Sequence, residues 1–122
     1  MFTLCVKDSF AAAHRLESYQ GKCEALHGHN FRVEALFEGE ELNKEGMLVD
    51  FAVLKGHVKE VLSALDHTYL NEIPFFKERA SSSEYLAVYI YNSLGALTQE
   101  GVVAVREVRV WESDTACASY RR

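Results

Sequence analysis

Several common features are scarce or missing in this chain, and each absence narrows what it can be. A single proline in 122 residues, with ordinary aliphatic and aromatic content, gives no support to disordered or low-complexity readings. No apolar run approaches the ~20 residues that a membrane-spanning helix needs, and no signal-peptide pattern opens the chain. Cysteine is limited to Cys5, Cys23 and Cys117, an odd number without paired spacing, which argues against a disulfide framework and for a reduced, cytoplasmic protein. Cys5 falls in a strand-like pattern and is expected to be a small buried hydrophobe, while Cys117 acquires no role. Basic residues are outnumbered, 13 Lys and Arg against 18 Asp and Glu, for a formal charge of -5. That balance argues against a surface built for nucleic acid. It leaves room for a small anionic substrate held locally by Arg15, Lys22, Arg121 or Arg122, each of which otherwise reads as a solvated side chain.

What is present fits one domain over residues 1–122, long enough to bury a core unaided. From Phe2 to His14 the even positions are mostly apolar, which predicts a strand that points His14 to the same side as Phe10. Residues 15–26 lack periodicity and read as a loop. Phe31, Val33, Ala35 and Phe37 alternate with polar neighbours, a second strand with one buried face. Asp50 is a good N-cap for an amphipathic helix carrying Phe51, Leu54, Val58, Val61, Leu62 and Leu65. Ser81 and Glu84 have capping-box spacing ahead of a second helix with Leu86, Ile90, Leu94 and Leu97 on one side. Val102 to Trp111 reads as a final strand, with Glu112 at or just beyond its end. Strands grouped apart from helices predict an α+β fold, an antiparallel sheet with both helices on one face. Outward positions of the last strand would include apolar residues whichever face is inside, so a homo-oligomer is expected.

The densest chemistry lies in His27-Gly28-His29. Along a strand these imidazoles share a face with Cα atoms roughly 6.6 Å apart, a spacing that can grip a metal. His14 is available as a third ligand. Three histidines around zinc leave the fourth position open for water or substrate, whereas Cys23 as a fourth ligand would close the site and make it structural. Spacing does not separate these, nor does it exclude a turn bearing two solvated imidazoles beside a core histidine. Cys23, Asp66 and His67 could also form a thiol-activating set, in which the carboxylate orients the imidazole and the imidazole moves the proton. Asp66-His67 has a plainer alternative as a helix terminus, and Glu112 one as a solvated carboxylate. His57, within the first helix, reads as structural.

Taken in order, Phe10-Ala11-Ala12-Ala13-His14, Cys23 ahead of His27-Gly28-His29-Asn30, Val49-Asp50-Phe51, Leu65-Asp66-His67 with Leu70-Asn71, and Val110-Trp111-Glu112 resemble the 6-pyruvoyltetrahydropterin synthase family over nearly the whole chain. Three residues between Cys23 and His27 look like its bacterial branch, the 6-carboxytetrahydropterin synthases of queuosine and deazapurine biosynthesis. The resemblance implies the tunnelling fold (T-fold): a four-stranded antiparallel sheet carrying two helices, three subunits closing a barrel, and two trimers stacking into a hexamer. It implies zinc on His14, His27 and His29, Cys23 as the catalytic thiol with Asp66 and His67 as its relay, and Glu112 as the anchor of the pterin ring. The implied substrate is 7,8-dihydroneopterin triphosphate. The implied products are 6-carboxytetrahydropterin, acetaldehyde and triphosphate.

Two positions depart from the pattern. Glu24 follows Cys23 where the bacterial branch commonly has a small or neutral residue, and Glu24-Ala25-Leu26-His27-Gly28-His29 fits relatives that use a glutamate to cleave dihydroneopterin in an aldolase-like manner, giving 6-hydroxymethyl-7,8-dihydropterin. Glu24 as a solvated loop residue is the alternative. Ser81 stands where the family usually has proline, which is expected to have a local effect. A 6-pyruvoyltetrahydropterin synthase and a non-catalytic, zinc-stabilised binding module complete the competing readings.

Overall fold

The computed structural model describes residues 1–16, 27–98 and 101–122. Cys23 and Glu24, with the rest of the expected 15–26 loop beyond Leu16, lie outside the described residues. The elements are β1 (Phe2–His14), β2 (His27–Gly39), α1 (Phe51–Ser63), β3 (Thr68–Tyr69), α2 (Ser83–Leu97), β4 (Ala104–Ser113) and β5 (Ala116–Tyr120), with two short 3-10 turns between β3 and α2. Among the described residues no helix is long and apolar enough to cross a membrane.

The sheet order is β3-β1-β2-β4-β5. Its body is antiparallel, but β3 joins β1 in parallel through Ala12–Thr68 and Ala13–Tyr69. The sheet thus has five strands rather than the expected four. β3 is only two residues long, and β5 (Ala-Cys-Ala-Ser-Tyr) is built mostly from small residues of weak strand preference, so neither carries a clear sequence signal. Glu112 belongs to β4 itself.

Alternation in β1 and β2 places Val6, Phe10, Ala12, Phe31, Val33, Ala35 and Phe37 in the core, against Leu54, Val58, Val61 and Leu62 of α1 and Leu86, Ala87, Ile90 and Leu94 of α2. Phe51, expected on the apolar stripe of α1, is half exposed at 48%. Asp50 caps α1 by accepting the Ala52 amide at 2.8 Å. At α2 the cap is Ser82, which accepts the Tyr85 amide, one residue later than the Ser81–Glu84 spacing suggests.

A bulge in β4 changes the side-chain parity of that strand. Leu36 pairs with Glu107 and Phe37 with Val105, so Arg106 is extra. Val103, Val105, Val108 and Val110 consequently all point into the core. The outer face is left with Ala104, Arg106, Glu107, Arg109 and Trp111. The outward residues of the predicted Val102–Trp111 segment thus include apolar Trp111, with Ala104 and Val102 also exposed, but charged side chains dominate the face. Arg109 donates to Glu107 at 2.6 Å and to Glu34 at 3.4 Å, and the Trp111 indole N–H donates to Glu34 at 2.8 Å. The hydrogen bond to Glu107 in particular holds the Arg109 guanidinium pKa above its ordinary value. Cys5, at an odd position of β1, shares this outer face and is exposed rather than buried.

Candidate metal centre and flanking clefts

His14 ends β1 and His29 lies near the start of β2. In the ladder His14 is opposite His27 and Ala12 opposite His29, so the period-two rule sends the His14 and His29 rings to one face. They meet edge to face with centroids 5.0 Å apart. Both rest on Phe31, 5.5 Å from His14 and 5.4 Å from His29, and Phe10 stacks on Phe31 at 5.0 Å. Fully buried Phe31 is therefore the floor of the site.

Glu112 of β4 completes the group. Its Oε1 is 3.5 Å from His14 Nε2 and 3.1 Å from His29 Nε2. One donor atom from each of His14, His29 and Glu112 lies within 4.8 Å of the others, an arrangement able to hold a metal ion. Metal–donor bonds of about 2.0–2.1 Å set tetrahedral donors roughly 3.3 Å apart, so the separations from Glu112 are of ligand size. The His14 Nδ1 lies 2.7 Å from the Ser81 carbonyl oxygen. A carbonyl only accepts, so Nδ1 carries the proton and Nε2 presents a lone pair. The donor set fits a borderline metal such as zinc. The side chain of His27 lies outside the description, although its backbone pairs with His14.

Two clefts flank the cluster. One, of 220 Å³, is lined by His14 and Glu112 together with Leu16, Ser82–Glu84 at the start of α2, and Ala116–Ala118 of β5. Ser83 Oγ is buried there and has no hydrogen-bond partner among the described residues. The other, of 550 Å³, is lined by Ala11–Ala13, Gly28–Asn30 and His67–Tyr69. A Cβ on Gly28 would meet only the Ala12 carbonyl, at 3.9 Å, so local packing does not require glycine there. A cavity of 520 Å³ near Met1 and Glu38–Asn43, lined by none of the residues singled out in the sequence, is separate.

Asp66 and His67 sit just beyond α1, where the chain enters β3. Asp66 Oδ1 accepts the Ala11 amide at 2.9 Å, and Oδ2 lies 3.0 Å from His67 Nδ1. The Ala11 hydrogen bond, ahead of that from His67, holds the Asp66 carboxyl below its ordinary pKa against a smaller opposing desolvation. The His67 amide donates to the Ala11 carbonyl at 2.6 Å, and the residue is left-handed, with φ of 57°. Its ring is 82% exposed.

Of the residues singled out in the sequence, His14, His29 and Glu112 thus come together, Asp66 pairs with His67, and His29 and His67 share a cleft wall. Ser83 and Glu84 were missed as site residues. Only their helix-start pattern was legible, although a helix N-terminus opening onto a cleft also directs polar groups into it.

The sequence profile described as 6-pyruvoyl tetrahydropterin synthase matches residues 3–122. The chain belongs to that family. Among curated relatives of this pterin synthase family, the 6-carboxy-5,6,7,8-tetrahydropterin synthase of Synechocystis is 35% identical, the alignment covering 98% of this chain and 93% of the relative. The 6-pyruvoyl tetrahydropterin synthase of Caenorhabditis elegans superposes with a TM-score of 0.88 at 31% identity, over 99% of this chain and 95% of that one. A Plasmodium vivax synthase, solved with alanine in place of a glutamate described as catalytic, gives a TM-score of 0.81 at 26% identity, over 99% of this chain and 97% of that one. The family fold is the T-fold, and the sheet and paired helices here conform to it.

Proposed function

We propose that this pterin synthase family member is a zinc-dependent 6-carboxy-5,6,7,8-tetrahydropterin synthase. It converts 7,8-dihydroneopterin triphosphate and water to 6-carboxytetrahydropterin, acetaldehyde and triphosphate, for queuosine and other deazapurines, in the cytoplasm. The observation that carries the reading is the convergence of His14, His29 and Glu112 between two clefts, one of them also bearing His67. The name of the 35%-identical Synechocystis relative supports the carboxypterin product.

In this reading His14, His27 and His29 hold zinc, which when bound supplies Lewis acidity toward the side-chain hydroxyls of the substrate. Glu112, although at ligand spacing from both histidines, is assigned to substrate, because three histidines already supply three protein donors. Ionised, it is acceptor-only and matches the amino and ring N–H edge of a pterin. Glu84 and Ser83 offer further polar groups in the same cleft. His67, its Nδ1–H directed to Asp66, keeps Nε2 to take and return a proton, and Cys23 is the thiol that works with it. A homo-oligomer, a dimer of trimers, brings these parts together at subunit boundaries. No nucleic acid or membrane takes part.

The test is product identification by mass spectrometry from 7,8-dihydroneopterin triphosphate and from dephosphorylated dihydroneopterin. Acetaldehyde with a carboxypterin is expected. Zinc-loaded protein that forms neither acetaldehyde nor any pterin product would sink the assignment. Cys23→Ala should keep zinc and lose turnover, and loss of zinc would instead favour a closed, non-catalytic metal module.

A second reading is supported by the catalytic glutamate of the Plasmodium vivax relative. Glu24 would then cleave the side chain in an aldolase-like manner to 6-hydroxymethyl-7,8-dihydropterin. Glu24→Ala would remove that product alone. A pyruvoyl product would place the chain with the eukaryotic synthases.

A further inference from the structure

His14 is the most deeply buried of the three converging groups, at 1% exposure, and its orientation is controlled from behind. The Ser81 carbonyl that receives its Nδ1–H belongs to the segment leading into α2, and Ser81 is itself fully buried. The Ser81 hydroxyl lies 3.1 Å from Asn71 Oδ1 and 3.3 Å from the Arg15 carbonyl. Asn71 Oδ1 also accepts the Arg15 amide at 2.9 Å, and Asn71 Nδ2 donates to the Arg15 carbonyl at 2.8 Å. One amide side chain therefore ties together three segments distant in sequence: the end of β1 next to His14, the 3-10 turn after β3, and the approach to α2. Both lone pairs of Asn71 Oδ1 are used, one by the Arg15 amide and one by the Ser81 hydroxyl.

We propose that Asn71 is a positioning residue for the metal: acting through Ser81, it fixes the His14 ring as the Nδ1–H tautomer and aims Nε2 at the point shared with His29 and Glu112. The proposal rests on the metal-site reading above and adds residues that touch neither metal nor substrate. Outer partners of a metal-bound histidine set its tautomer and ring orientation, and their removal typically weakens metal binding 10–100-fold. Here the outer partner is a backbone carbonyl, so the residue that holds that backbone takes the place of an outer side chain. Ser81 contributes a hydroxyl that proline at this position would lack.

The experiment compares Asn71→Ala, Ser81→Ala and, as a control, Asn43→Ala. Asn43 makes a similar pair of bonds, Oδ1 to the Glu45 and Met47 amides at 3.0 Å each, in a turn remote from the site. Zinc affinity is measured by chelator competition, and the His14 tautomer by nitrogen-15 NMR of the metal-free proteins. Asn71→Ala is expected to bind zinc about 10–100-fold more weakly and to show mixed His14 tautomers. Ser81→Ala, which keeps the carbonyl, should show a smaller loss in the same direction, and Asn43→Ala should match wild type in both. Folded Asn71→Ala with wild-type affinity and tautomer overturns the proposal. If Asn71→Ala does not fold, Ser81→Ala is decisive, and wild-type behaviour there overturns it equally. Wild-type protein that takes up no zinc would refute the metal-site reading, while the tautomer comparison would still decide the positioning role.

Discussion

Asp66 and His67 are joined side chain to side chain, Oδ2 to Nδ1 at 3.0 Å, while the other Asp66 oxygen accepts the Ala11 amide of β1. One carboxylate thus anchors the imidazole to the sheet. Because the folded state lowers the pKa of Asp66, its contribution to stability is complete above its unfolded value of about 3.9 and is lost as pH falls through the lower folded value. Denaturation midpoints measured between neutral and acid pH should show wild type losing this increment. Asp66→Asn should lack that part of the acid dependence and be less stable at neutral pH. It should also lower kcat by 10²-fold or more without changing metal content.

His67 separates chemistry from stability. Its positive φ suits asparagine better than most residues, and its ring is exposed. His67→Asn is therefore expected to melt within about 0.5 kcal/mol of wild type while losing about 10²–10⁴ in turnover. Turnover within a few-fold of wild type would remove His67 from the proton path.

Glu112 lies at ligand spacing from both histidines yet is assigned to the substrate. Glu112→Gln should retain near-wild-type zinc by elemental analysis while kcat/KM falls by at least about 10²-fold, as expected when an acceptor built to pair with substrate N–H groups presents a donor to them instead. Zinc lost together with activity would make Glu112 a metal ligand.

Phe31 should be the costliest single truncation near the site. Fully buried beneath both histidines and against Phe10, its replacement by alanine is expected to cost about 3–5 kcal/mol in urea unfolding and to weaken zinc binding as the His14 and His29 rings lose their floor.

Much of this arrangement was readable from periodicity. Alternation along β1 and β2 put His14 and His29 on the core side, because a strand sends every second residue the same way. The Asp50 cap and the α1 stripe followed from side-chain chemistry. Long-range pairings were not readable: no local signal tells that Ser81 will spend its hydroxyl on Asn71 and Arg15 and leave the cap of α2 to Ser82. The β4 bulge was hidden because Val-Ala-Val-Arg-Glu-Val-Arg-Val offers apolar residues in both parities until pairing with β2 selects one. Glu84 was read only as a capping residue, since its place in a cleft depends on where β5 lies, and β5 has little strand signal of its own.

Trp111 is the only tryptophan in the chain, bonded through its indole N–H to Glu34 and adjacent in sequence to Glu112. The protein therefore carries its own optical probe on the sheet face opposite the proposed substrate anchor. Because neighbouring residues of a strand point to opposite faces, the indole stands across the sheet from the site, and its emission can report the integrity of the β2–β4 pairing through Glu34 in unlabelled protein.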